Sequence, residues 1–198
     1  GLSTIGEKQT PAGRVGEAGK GPFCGAGQAE GRGGREVGGM ANLLSAHRGL
    51  NNPAHGAEVA ALWGIERVPE KPGKTAVELF NAIAEGSIKA VWIACTNPAQ
   101  SMPDQKRVQD SLAKAELVVV QDAFANIATA RHADVVLPAA TWGEKGGTVT
   151  NSERRISRVR RAVEPPGAAR DDWAIVCDFA RRLEQRLPYR RDRPSLFP

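Results

Sequence analysis

The chain has 198 residues, a formal charge of +5, 41% hydrophobic and 5% aromatic residues, a length that suits one α/β domain with flanking segments. No run approaches the ~20 consecutive apolar residues of a membrane span, and residues 1–20 are polar and glycine-rich without an apolar core, so neither a membrane partner nor a secretory leader is expected and a cytoplasmic location is. The positive charge gathers in arginines (Arg154, Arg155, Arg158, Arg160 and Arg161, then Arg181, Arg182, Arg186, Arg190, Arg191 and Arg193); with so few aromatics to stack bases, this favours a solvated face or a surface for an anionic cofactor over a nucleic-acid site.

Of the 22 glycines, 13 lie within the first 40 residues. Glycine loses the most conformational freedom on folding, so residues 1–34 read as a loop segment. Regular structure is expected from there to residue 187, with residues 188–198 as a frayed basic tail. Residues 41–48 suit a short helix closed by the turn residues Asn51-Asn52-Pro53. Residues 57–63 suit another turn or two of helix. Thr75 with Glu78 three positions on is a capping box in front of the stripe Val77, Leu79, Phe80 and Ile83, and Gly86 supplies the stop.

Ala90–Ala94 is a short apolar run of the kind found in strands buried on both faces. Residues 104–115 read as helix behind Pro103. Residues 117–120 form a second strand, 126–132 a short helix, and 135–137 a third strand ending at Pro138. Residues 171–186 close the pattern as a helix whose buried face is Trp173, Ile175, Val176, Phe179, Ala180 and Leu183. Helix and strand alternate with short connections, the pattern of an α/β fold with a parallel sheet flanked by helices.

In open parallel sheets, ligands bind beyond the carboxyl ends of the strands. Three loops occupy that edge: Cys95 to Ser101, Gln121 to Phe124, and Pro138 to Trp142. Asp122, following an apolar strand, is placed to accept two N–H bonds from a guanine edge. Asn97 and Ser101 offer groups for ribose or phosphate oxygens, although Asp and Asn also serve turns through their own backbone bonds. No Gly-x-Gly-x-x-Gly or phosphate-loop motif is present. Cys24, Cys95 and Cys177 stand far apart, and His47, His55 and His132 lack ligand spacing, so no metal or iron–sulfur site is expected in this chain and the cysteines read as small buried hydrophobes. No nucleophilic constellation is visible.

Two stretches carry more than pattern. ADVVLPAA at 133–140 followed by WGEKGGTVTNSERR at 142–155 closely resembles the signature of bacterial molybdopterin oxidoreductases. GREVGG at 34–39, ANLL at 41–44, AHR at 46–48 and PEKPGKTA at 69–76 resemble the assimilatory nitrate reductase branch, catalytic subunit. Around Gln28 the chain departs from the family pattern, with Cys24-Gly25-Ala26 before it and Ala29-Glu30-Gly31-Arg32 after.

The resemblance implies a dinucleotide-binding-like (Rossmann-like) domain at 35–187, the third of several domains around a molybdenum bis(molybdopterin guanine dinucleotide) cofactor. It implies that Cys95, Asn97 and Ser101 contact the nucleotide, that Gln121 and Asp122 recognise its sugar and base, and that Gln28 and Arg35 face the active-site funnel, Arg35 drawing in an anionic substrate such as nitrate. The implied partners are the remaining domains of a parent subunit, which would carry a [4Fe-4S] centre, and an electron-donor protein; alone, this chain would be inactive. The other readings are a formate dehydrogenase-like subunit, a non-catalytic module binding a guanine nucleotide or a partner subunit, and, least favoured, a basic nucleic-acid binder.

Overall fold

The computed structural model describes residues 3–6, 24–26, 43–151 and 153–182. Its centre is a five-stranded sheet of order β2-β1-β5-β6-β7, with β1 (Ser3–Gly6), β2 (Cys24–Ala26), β5 (Ala90–Ala94), β6 (Leu117–Asp122) and β7 (Val135–Pro138). β5, β6 and β7 run parallel, with Ala90 opposite Leu117 and Val119 opposite Val135. The expected parallel sheet flanked by helices is therefore present.

β1 and β2 depart from the loop expected over residues 1–34. β1 pairs antiparallel with β5, Ile5 opposite Ile93, and with β2, Thr4 opposite Gly25. An open sheet edge presents unpaired N–H and C=O groups, and these accept a strand whatever its side chains. Composition alone does not reveal such pairing.

One face of the sheet is built as a core. Val91 and Ile93 of β5 and Val118 and Val120 of β6 are buried against Leu79, Phe80 and Ile83 of α2 (Ala76–Ala84) and against Val108 and Leu112 of α4 (Gln105–Lys114). The alternate residues of β5 and β6 are not equally covered, Trp92 and Val119 being half-buried, and on the outer strand β7 both Val135 and Val136 are exposed. Burial on both faces is thus corrected to burial on one for β5 and β6, with their other face met in part by Phe179, whose ring stands edge-on to Trp92 at 5.0 Å. Unbroken apolar character marks a strand, but the number of layers on it is a tertiary property.

Ahead of the sheet, a smaller core of Leu44, Leu50, Val59, Ala60 and Val68 packs beneath α1 (Pro53–Trp63). The helix expected at 41–48 is absent from residues 43–48. In its place are β3 (Leu43–Leu44), a 3-10 turn at Ser45–His47, and β4 (Arg48–Gly49), with Ala46 and His47 in left-handed backbone. Asn52 does not close a helix but opens one, its Oδ1 accepting from Ala54 N at 3.0 Å ahead of Pro53. Asparagine before proline is a start signal as much as a turn signal.

The capping box of α2 is formed as expected. Thr75 Oγ1 accepts from Glu78 N, and Glu78 Oε2 accepts from Thr75 N at 2.8 Å. Gly86, at φ 79°, turns the chain out of the helix. We expect Thr75→Ala to cost about 1 kcal/mol in a denaturant titration, and an unchanged midpoint to show that packing alone sets this terminus.

A short α3 (Pro98–Ser101) follows β5, a 3-10 turn (Ala128–His132) stands where residues 126–132 were read as helix, and β8 (Gly147–Thr150) pairs with β9 (Ile156–Val159) as a hairpin. The last helix, α5, covers Asp172–Arg182 among the described residues. Of its expected buried face, Ile175 and Ala180 are buried, while Trp173 and Val176 are about half exposed; Leu183 lies outside the described residues. Trp173 spends its indole on the β7–β8 loop, Nε1 donating to Gly146 O at 3.1 Å. Periodicity shows which residues share a face, not how much of that face a neighbour covers.

Candidate functional site

The carboxyl ends of β5 and β6 bring Cys95, Gln121 and Asp122 together. Parallel register sets Ala94 beside Gln121 and Asp122 beside Pro138. One step past β5, the N–H of Cys95 donates to Gln121 O at 2.8 Å, and Cys95 then turns into left-handed backbone at φ 57°. For a residue with a Cβ that conformation costs roughly 1–2 kcal/mol and is held only by its surroundings.

The Cys95 thiol is half-buried, not fully buried as expected, and its Sγ lies 3.5 Å from Asp172 Oδ1. Burial pushes its pKa up to about 12, with Asp172 and Asp122 adding to the rise and Lys145 opposing it. The thiol is therefore protonated at neutral pH, and the thiolate is the reactive form.

Gln121 is 1% exposed, its Nε2 donating to Asp172 Oδ1 at 2.7 Å. Its Oε1 is buried with no hydrogen-bond partner among the described residues. A buried acceptor without a donor costs free energy, and in native structures such an atom calls for an explanation. Asp122 is half-buried, with Oδ1 accepting from Phe124 N at 2.9 Å. Burial raises its carboxyl pKa, the Phe124 and Ala123 N–H groups pull it back, and Asp172 adds a smaller upward push.

Asn97 and Ser101 are placed differently. Asn97 Oδ1 accepts from Thr129 N at 3.0 Å and from Thr129 Oγ1 at 2.7 Å, and its Nδ2 donates to Gln100 Oε1 at 2.8 Å. Its side chain joins the β5 loop to the 3-10 turn. Ser101 is exposed at the end of α3. Gln28 and Arg35 lie outside the described residues. Among the described residues, no group of three or more His, Cys, Asp or Glu side chains is arranged to hold a metal ion, and no helix is long and apolar enough to cross a membrane.

Sequence reasoning missed Asp172 and Lys145. Lys145 Nζ lies 3.7 Å from Asp172 Oδ2 and 4.4 Å from the centre of the Trp142 ring. The pair Asp171-Asp172 opening a helix was the available signal, since acidic residues favour helix N-termini. The acid's three contacts come from three other loops and strand ends, which no local pattern reports.

Parallel β5, β6 and β7 flanked by helices, with polar side chains converging on their carboxyl edge, define an α/β domain. The chain belongs to the molybdopterin oxidoreductase family, whose model matches residues 23–182. It is 50% identical over 171 residues to a nitrate reductase of Klebsiella oxytoca, covering 86% of this chain and 20% of the relative. It is 39% identical to the assimilatory nitrate reductase catalytic subunit of Bacillus subtilis (86% and 24% covered), and 37% identical to the F420-dependent formate dehydrogenase subunit alpha of Methanocaldococcus jannaschii (86% and 25%). The fold is shared with acetylene hydratase from Pelobacter acetylenicus, at a TM-score of 0.51 and 23% identity over 79% of this chain and 19% of that one. The chain thus spans about a fifth to a quarter of the length of the relatives it matches.

Proposed function

We propose that this chain is the domain that holds one guanine nucleotide of a molybdenum bis(molybdopterin guanine dinucleotide) cofactor in a larger, cytoplasmic enzyme that reduces nitrate to nitrite for assimilation. The observation that carries the reading is the convergence of Gln121, Asp122 and the Cys95 loop on the carboxyl edge of the sheet, with Gln121 Oε1 left without a partner. The donor set suits the nucleotide. An ionised carboxylate only accepts, and guanine offers adjacent N–H donors on one edge. Asp122 gives one oxygen to the Phe124 N–H, and its carboxylate keeps further lone pairs for a base. Ser101, exposed at the end of α3 beyond the Cys95 turn, would meet sugar or phosphate oxygens.

When bound, the molybdenum would supply the oxygen-atom transfer and the two electrons that nitrate reduction requires, the electrons arriving through a [4Fe-4S] centre elsewhere in the parent protein from a separate donor. This chain's part is to bind and orient. Asp122 selects the base, the strained Cys95 turn shapes the loop beside it, and Arg35 draws an anionic oxygen donor toward the funnel that Gln28 also lines. On this reading the chain needs the parent's other domains for activity. The names of the Klebsiella and Bacillus relatives favour nitrate; the formate dehydrogenase relative supports a second reading, a formate-oxidising subunit with the same nucleotide site.

The test has two parts. The coding sequence on either side is read for an upstream cysteine cluster and molybdenum-ligating residue and for a downstream cofactor-covering domain; the ligating residue separates nitrate from formate chemistry. The chain is then titrated with guanosine and adenosine diphosphates. Saturable binding of the guanine nucleotide is expected, with the adenine nucleotide at least about tenfold weaker for want of a charge-assisted bond worth ~1.5–3 kcal/mol. Equal affinity for both would remove the guanine assignment, and intact start and stop signals at both ends would leave a stand-alone binding module.

A further inference from the structure

We infer that Asp172 is the positioning residue of the sheet-edge site: from α5, its one carboxylate ties together the β5 loop, the end of β6 and the β7–β8 loop. The inference rests on the guanine-nucleotide reading for its functional meaning and on separate geometry for its substance. Oδ1 accepts from Gln121 Nε2 at 2.7 Å and lies 3.5 Å from Cys95 Sγ, while Oδ2 lies 3.7 Å from Lys145 Nζ. Each contact reaches a different stretch of chain, and no other described carboxylate bonds both Cys95 and Gln121.

The chemistry makes the arrangement directional. A carboxylate accepts and does not donate, so the Gln121 amide must turn its N–H toward Asp172 and its carbonyl away. That choice leaves Oε1 buried and without a partner, available to a donor from a ligand that remodels this edge. A neutral amide at 172 would satisfy either orientation and would remove the preference. The same acid draws the Lys145 ammonium in from the β7–β8 loop. Trp173, the next residue on α5, holds that loop again through Gly146 O. α5 thus acts as the bar against which three edge segments are set, although none of its residues belongs to a strand end.

The charged groups facing Cys95 are Asp172, Asp122 and Lys145, which makes its thiol a reporter of the arrangement. The wild-type chain, Asp172→Asn and Lys145→Met are alkylated across a pH series, and the Cys95 peptide is quantified by mass spectrometry with the Cys177 peptide as a monitor of unfolding. Removing the acid should speed alkylation of Cys95 about tenfold at a fixed pH below its midpoint, the effect of moving a thiol by one pH unit, while Cys177 stays unchanged. Lys145→Met should slow it. General loosening would speed both variants, so the opposite signs separate positioning from mere stability, and Lys145→Met keeps the test alive where Asp172→Asn unfolds.

Guanosine diphosphate binding is measured on the same samples. A loss of about tenfold in Asp172→Asn is expected, as for a misoriented polar partner worth ~1.4 kcal/mol. Unmoved Cys95 profiles, acceleration in both variants, or unchanged nucleotide affinity in a folded Asp172→Asn protein would each overturn the inference. A wild-type chain that binds no guanine nucleotide while its thiol profiles move as stated would instead overturn the nucleotide reading and leave the positioning of Cys95 standing.

Discussion

Asp122→Asn is expected to weaken guanosine diphosphate binding by about tenfold to a hundredfold and, in the same protein, to raise the melting temperature at neutral pH. The binding loss follows from chemistry: a carboxylate accepts from both guanine N–H groups, whereas an amide replaces one acceptor with a donor and gives up the charge, worth ~1.5–3 kcal/mol per charge-assisted bond. The gain in stability follows from the direction of the carboxyl's shift. Burial raises its pKa in the folded chain, so the folded state holds this proton more tightly than the unfolded one. The corresponding stability is full below the unfolded pKa and is lost as pH rises through the folded one. At neutral pH the ionised group is therefore a net cost, which asparagine removes while keeping an oxygen for the Phe124 N–H. Melting curves at neutral and acidic pH check this: the advantage should vanish on acidification. Unchanged nucleotide affinity would show that Asp122 does not read the base, and a lower melting temperature at neutral pH would show that the ionised carboxylate has a partner that stabilises it. A site that gives up stability for recognition is expected where a half-buried charge awaits a ligand.

Asn97→Ala should have a larger effect on stability, a loss of about 2–4 kcal/mol in a denaturant titration. Thr129 is fully buried. Its N–H and hydroxyl both donate to Asn97 Oδ1, while its hydroxyl oxygen accepts from Ala99 N at 3.2 Å. Removing Oδ1 orphans two donors, and each unsatisfied buried group costs ~1–3 kcal/mol. Asn97→Asp keeps the acceptor and gives up only the bond to Gln100, so it should cost markedly less. Equal losses for both substitutions would show that the Thr129 bonds are not what holds the loop. The Asn97 side chain joins the β5 loop to the turn before β7, beside the edge that Cys95 and Gln121 line.

Much of the core was readable in advance, for reasons that are local. Ala90–Ala94 and the start of β6 are apolar runs bounded by polar turns, and the Thr75–Glu78 box marks a helix start within four residues. The family motifs at 133–140 and 142–155 carried the assignment to molybdopterin oxidoreductases, which the match over residues 23–182 bears out. The helix expected at 41–48 gives way over residues 43–48 because the left-handed backbone at Ala46 and His47 that breaks it has no glycine to announce it.

What remains divides by range. Element type along the sheet, the capping of α2 and the loops at the carboxyl edge depend on residues a few positions apart, and periodicity and side-chain chemistry specify them directly. The addition of β1 to the edge of β5 joins Thr4 to Ala94, and the one-sided burial of β5 and β6 and the convergence of Cys95, Gln121 and Lys145 on Asp172 likewise link distant stretches, Cys95 and Asp172 lying 77 positions apart. Such contacts exist only once the layers have packed, because backbone pairing at an edge and the placing of one carboxylate among three loops depend on distances that no window of sequence contains.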